Sequence, residues 1–242
     1  MQIVDGRLVL SAGDLVAHLA CEHLSALDLQ VAHGLLGRPD RVDPELDVLA
    51  ERGARHETTY VARLVAEGVD LVDLSTGDSA AVPDGAALAA AETLAAMREG
   101  RGAIYQGTFF DGGWVGRPDL LRRVDRPSPA FGAWSYEVAD VKLARSVKAS
   151  ALVQVALYAD QLSRLQGVEP AELWVVTGDG VEHGFAVAEH VPYVRRARAR
   201  LEAWARSASA GPASDGGVGS APEPVEHCGV CREARAWLEG QA

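Results

Sequence analysis

Apolar positions recur at helical spacing in the first part of the chain and give way to strand-like runs in the middle. Ser11 and Asp14, three residues apart, read as a helix N-cap, and Leu15, Val16, Leu19 and Leu24 follow them at roughly helical spacing. A first short helix is predicted there, with Cys21 near its end. After a polar loop through Arg38, Pro39 and Asp40, the stretch from Pro44 to Glu67 carries Leu46, Leu49, Ala50, Gly53, Ala54, His56, Tyr60, Leu64 and Val65. This pattern predicts one long helix with His56 towards its middle. Residues 68 to 85 are turn-rich, and the Ala-rich run Gly85 to Arg98 has strong helix propensity.

The period then changes. Ala103 to Phe110, Trp114 to Val124 and Trp134 to Leu143 are short β-rich runs, separated by Asp111-Gly112-Gly113 and by Pro127-Ser128-Pro129. Three neighbouring antiparallel strands are the simplest arrangement. Ala149 to Gln166 reads as an amphipathic helix closed by Gly167 and Pro170. Leu173 to Thr177 and Val181 to Val187 form a hairpin around Gly178-Asp179-Gly180, and Val194 to Ser207 is a final helix. The succession predicts an α/β domain over residues 1 to 206. Residues 207 to 224 are small, polar and broken by Gly and Pro, which predicts a flexible linker to a cysteine-bearing segment at 225 to 242.

Composition narrows the classes. At 242 residues and 48% hydrophobic the chain suits one large globular domain. No run approaches the roughly 20 apolar residues that span a bilayer, and the N-terminal sequence lacks the pattern of a secretory signal. No membrane association and a cytoplasmic location are therefore expected. The net charge of -11 argues against generic affinity for nucleic acid, but the charge is unevenly distributed. Between Arg117 and Lys148 seven basic residues stand against four acidic ones, and Arg195, Arg196, Arg198, Arg200 and Arg206 form a second cluster. On charge alone, both read as solvated faces.

The chain has only two lysines, Lys142 and Lys148. Lys142 closes Asp140-Val141-Lys142, and in a strand residues two apart share a face. A neighbouring antiparallel strand can bring Asp119, of Gly116-Arg117-Pro118-Asp119, beside them. Two carboxylates so placed can hold a hard divalent cation with water positions left open, and a nearby ammonium can orient that water for attack on a phosphodiester. By itself the triplet reads equally as an ion pair at a strand end.

Four short motifs occur in order: Gly53-Ala-Arg-His56, Gly116-Arg-Pro-Asp119, Asp140-Val-Lys142 and Gln154-Val-Ala-Leu-Tyr158. With them the chain resembles the RecB-like branch of the PD-(D/E)xK nucleases, which includes bacterial RecB-like nucleases and CRISPR adaptation nucleases. The resemblance runs from about Ser11 to Cys231. It implies a restriction-endonuclease-like core, a mixed central sheet flanked by helices. It further implies that His56, Asp119, Asp140 and the Val141 carbonyl bind Mg2+ or Mn2+, and that Lys142 positions the attacking water. Gln154 and Tyr158 would contact DNA or support the site, and Arg117, Arg145 and Lys148 are expected in the same role. Gly53, one turn before His56, is expected to allow close helix packing. The implied activity is a DNA exonuclease acting on single strands or ends in repair, with a helicase or repair protein as a further partner. A non-catalytic nuclease-fold module that binds DNA is the alternative.

Many members of that branch carry an iron-sulfur cluster on four cysteines. Cys21, Cys228 and Cys231 match the first three, but Trp237 stands where the fourth would fall. A [4Fe-4S] cluster normally takes four thiolates. An incomplete cluster, a zinc site completed by His227, and free thiols therefore remain open.

Overall fold

The computed structural model describes residues 1–37, 44–75 and 85–210. The chain divides into two units, one of Met1–Val42 with Arg196–Ala242 and one of Asp43–Arg195, and the boundary falls within the last helix.

The first unit opens with a hairpin of β1 (Gln2–Val4) and β2 (Arg7–Ser11), followed by α1 (Ala12–Ala20) and α2 (Glu22–Ala32). The predicted cap is present. Ser11 Oγ accepts from the Asp14 N–H at 3.3 Å, while the Asp14 carboxylate accepts from the Ser11 N–H at 2.7 Å. The single helix expected over this region is two. Cys21 breaks it, with an extended backbone that ends α1 and begins α2, and its side chain is buried.

The second unit is a mixed six-stranded sheet flanked by helices. Its elements are α3 (Pro44–Ala66), β3 (Leu71–Asp73), α4 (Gly85–Glu99), β4 (Ala103–Tyr105), β5 (Phe109–Phe110), β6 (Trp114–Gly116), β7 (Leu120–Val124), β8 (Ser135–Val141), α5 (Ala149–Gln166), β9 (Glu172–Val176), β10 (Glu182–Ala186) and the start of α6 (Val187–Ala210). The sheet order is β10-β9-β8-β7-β4-β3. β8 pairs parallel with β9 and antiparallel with β7, and β3 pairs parallel with β4. The two parallel pairs are joined through α5 and α4, as parallel neighbours require a long crossover.

β8 is buried along its whole length, which is why its sequence alternates so little. On one face, Ala139 and Val141 join Leu120, Ala103 and Val176 in a core closed by Tyr60 and Leu64 of α3. By strand alternation Val138 and Asp140 lie on the other face, which α5 covers. α5 spans the predicted residues and ends on Gly167 at φ 73°, the left-handed conformation that favours glycine at a helix end.

Three expectations are corrected. The run Trp114 to Val124 is not one strand: Arg117, Pro118 and Asp119 separate β6, which pairs with β5, from β7, which pairs with β4 and β8. Proline cannot donate to a ladder, so the break falls where the sequence carries one. The last helix begins at Val187 and runs to Ala210, so Ser207–Ala210 are helical rather than linker. Gly53 serves no close packing either, because a Cβ added there meets nothing within 4 Å. The remainder of the expected linker and the segment holding Cys228, Cys231 and Trp237 lie outside the described residues.

Candidate metal and phosphodiester site

The register of β7 and β8 builds the centre of the site. Their last pair at this end is Leu120 with Ala139, so the next opposing positions are Asp119 and Asp140. The Val141 N–H donates to Asp119 Oδ2 at 2.7 Å, which ties the loop before β7 to the end of β8. Lys142 follows directly, its N–H donating to the Val176 carbonyl at 2.8 Å and prolonging the parallel pairing with β9. Asp140 and Lys142 share a face as their spacing requires. Lys142 Nζ lies 2.6 Å from Asp140 Oδ2 and 3.9 Å from Asp119 Oδ2.

Asp140 is only 1% exposed, and its Oδ2 receives no hydrogen bond among the described residues. The Lys142 ammonium, 2.6 Å away, is its ion-pair partner there. Burial first, and the Asp119 charge second, hold the Asp140 carboxyl well above the usual aspartate range, with Lys142 opposing them. For Lys142, burial disfavours the ammonium, but the Asp140, Asp119 and Glu57 carboxylates outweigh it and raise its pKa. Lys142 is thus held as a cation.

Glu57, next to His56 on α3, belongs to this cluster, and no sequence motif singles it out. Burial and then the Asp119 charge raise its pKa. Its Oε2 accepts from Tyr105 Oη and from Gln106 Nε2, each at 3.2 Å. The sequence offers no spacing rule that links an acid on α3 to the end of β7, and Glu57 is one of 34 acidic residues.

His56 sits half-buried with Nε2 3.2 Å from the Thr177 carbonyl oxygen, at the end of β9. With the proton on Nε2 donated there, Nδ1 is left with its lone pair, the arrangement usual in a metal-binding histidine. On α5, Gln154 Nε2 donates to Tyr158 Oη at 3.3 Å. Burial, then the Asp140 charge, push the Tyr158 hydroxyl up, and the Arg117 backbone bonds to it. Gly116 makes this approach possible, since a Cβ there would collide with Gln161 Oε1 and touch Tyr158 at 3.0 Å.

The basic residues of this stretch divide in two. Arg122 pairs with Glu182 at 2.6 Å and stacks on Trp174, Arg123 bonds the Gly100 carbonyl and stacks on Trp134, and Arg126 bonds the Glu169 carbonyl. Arg117, Arg145 and Lys148 are exposed and form no ion pair among the described residues. Lys148 is also the N-cap of α5, with no side-chain capping bond. In the second cluster, Arg195 pairs with Asp160 and Glu169, and Arg198 with Glu202.

Among the described residues, no three His, Cys, Asp or Glu side chains converge closely enough to hold a metal ion by themselves. The donor set nevertheless fits a hard cation. Mg2+ characteristically takes one or two carboxylates and completes its shell with water and substrate phosphate. Asp119 and Asp140 supply the two carboxylates, with the Lys142 ammonium 2.6 Å from Asp140 Oδ2 beside them. Cys21, the one cysteine among the described residues, is a buried free thiol. No described helix is long and apolar enough to cross a membrane.

No family model and no curated protein matches the chain. A solved structure described as "Crystal structure of SSO0001" is 18% identical, with a TM-score of 0.26 over 79% of this chain and 76% of its own. A likeness at that level leaves function to be argued from the residues themselves.

Proposed function

We propose that the protein is a metal-dependent deoxyribonuclease with a restriction-endonuclease-like core, of the RecB-like branch of the PD-(D/E)xK nucleases. The reading rests on one observation: Asp119, Asp140 and Lys142 meet at the ends of β7 and β8, with the lysine held as a cation between two carboxylates. A bound Mg2+ or Mn2+ would supply Lewis-acid stabilisation of the charge that develops on the phosphate. Asp119 and Asp140, and the Val141 carbonyl at the end of β8, would hold it. His56, whose Nε2 lies 3.2 Å from the Thr177 carbonyl oxygen, is the further ligand that the family resemblance implies.

The chain's own groups divide the remaining work. Lys142, protonated, donates to the attacking water and fixes its direction. Tyr158 and Gln154 brace the rear of the site from α5. Arg117, Arg145 and Lys148 meet the phosphate backbone, and Lys148 adds its charge to the positive end of α5. The choice of single strands or ends, and of a repair partner, follows from the family resemblance.

The test is purified protein with end-labelled single- and double-stranded DNA in Mg2+, in Mn2+ and in EDTA. Cleavage that needs the metal is expected. Metal-independent binding without cleavage would instead make this a DNA-binding module.

A further inference from the structure

We infer that Arg196, Arg200 and Arg206 form a stripe along the outer face of α6 that binds the phosphate backbone of DNA. None of the three belongs to the β7–β8 site, and the inference rests on the nuclease reading for its choice of polyanion. The helix itself sorts its arginines. At 3.6 residues per turn, Val194, Ala197, Leu201 and Ala205 fall on one side, and all are buried. Arg196, Ala199, Arg200, Ala203, Arg206 and Ser207 fall within an arc of about 120° on the other, and all are exposed. Arg198, on the inner side, pairs with Glu202 at 2.9 Å, and Arg195 pairs with Asp160 and Glu169. Arg196, Arg200 and Arg206 make no ion pair and no side-chain hydrogen bond among the described residues.

Solvation accounts for exposed arginines but not for the lack of acids among them. The chain carries 34 Asp and Glu against 23 Lys and Arg, so acids to pair with these arginines are plentiful. Yet from Val194 to Ala210 the one acid is Glu202, and it is engaged by the inward-facing Arg198. Three like charges therefore lie along about 15 Å of helix with no carboxylate on their face, an arrangement that an anion with many charges relieves. Ala199, Ala203 and Ser207 between them are small, so a phosphate backbone can come close to the helix. No large apolar side chain stands on that arc to anchor a protein partner or to enter a lipid surface. A DNA strand carries a charge on every nucleotide and needs no such anchor.

The experiment measures binding of fluorescein-labelled single-stranded DNA to the full chain by anisotropy, in EDTA so that nothing is cleaved, from about 50 to 200 mM salt. Arg196→Gln, Arg200→Gln and Arg206→Gln combined should lower the slope of log Kd against log salt by about 2 to 3, with Tm no lower than wild type. Lysine at all three positions keeps the charge and should keep the slope. Arg7→Gln with Arg98→Gln removes two exposed arginines from β2 and α4 and should leave the slope as in wild type. The assignment is overturned if the triple glutamine variant keeps the wild-type slope or does not fold, if the lysine variant loses as much as the glutamine one, or if the Arg7 and Arg98 control loses as much per charge. Wild type that binds through the stripe yet never cleaves DNA with Mg2+ or Mn2+ would sink the nuclease reading alone. Wild type that cleaves DNA, alongside a triple glutamine variant that binds with an unchanged slope, would sink the stripe alone. Wild type that neither binds nor cleaves would sink both.

Discussion

Asp119 and Asp140 oppose each other one step past the last β7–β8 pair, and Lys142 answers both, 2.6 Å from the buried Asp140 and 3.9 Å from Asp119. The Asp119 charge disfavours the ionisation of Asp140, and a single ammonium does not balance the two. The metal-free protein therefore carries an electrostatic load at this end of the sheet.

That load sets a pH dependence. The Asp140 carboxyl is raised well above its ordinary value of 3.8 by burial and by Asp119. Such an acid binds its proton more tightly when folded, so its contribution to stability falls as pH rises from the ordinary aspartate range towards the raised value. In EDTA, Asp140→Asn should remove a downward slope of Tm that sets in as pH rises above the ordinary aspartate range. His18, whose pKa burial lowers, gives a slope of opposite sign, so the readout is the difference between the two proteins by calorimetry. Parallel curves would place the load elsewhere.

Asp119→Ala, Asp140→Ala and Lys142→Ala should each lower kcat by at least about a hundredfold while the fold persists, because each removes a charged group at the site and little core volume. Gel assays on end-labelled DNA read the loss, and circular dichroism reads the fold. Full activity in all three, with a clearly metal-dependent wild type, would move the site away from β7 and β8.

Two glycines should respond with opposite signs. Gly116→Ala drives a methyl into Gln161 and Tyr158 and should destabilise by about 1–3 kcal/mol. Gly53→Ala, on α3 with open space around it, should stabilise by about 0.5–1 kcal/mol through helix propensity. Urea denaturation measures both. A neutral Gly116→Ala would show that α5 can shift to accommodate the methyl.

Alanine at Arg117, Arg145 or Lys148 should weaken DNA binding without regard to sequence, and each should reduce the slope of log Kd against log salt by about 1. Arg122→Ala should leave that slope alone and lower stability, since its charge is spent on Glu182. Fluorescence anisotropy over a salt series separates the two effects. An unchanged slope in all three rim variants would remove them from the DNA path.

Local signals in the sequence located α1, α3, α4, α5 and the β9–β10 hairpin, because each has its own start or stop: the Ser11–Asp14 cap, Pro44, and Gly167 after Gln166. β3 escaped because three residues between turns carry no period. Ser207–Ala210 continued α6 because Ser and Ala do not stop a helix, and the first Gly-Pro in the sequence comes after them. Within the site, Asp140 and Lys142 were legible from their spacing, and Asp119 from its place at the preceding, antiparallel strand. Glu57 was not, since its nearness to Asp119 arises from the packing of α3 on the sheet, and no short motif encodes that.

The uneven anchoring of α3 gives one helix two lifetimes. Its side chains are exposed from Pro44 to Arg52, and its buried residues, Tyr60 and Leu64, lie in its second half. There Tyr60 and Arg63 both donate to Glu182 on β10, at 2.8 and 2.9 Å. Backbone amides before Gly53 should therefore exchange with deuterium far sooner than those around Tyr60, the early half opening while the late half stays on the sheet. His56 and Glu57 stand at the border between the two, so both sit where a helix can breathe without the core unfolding.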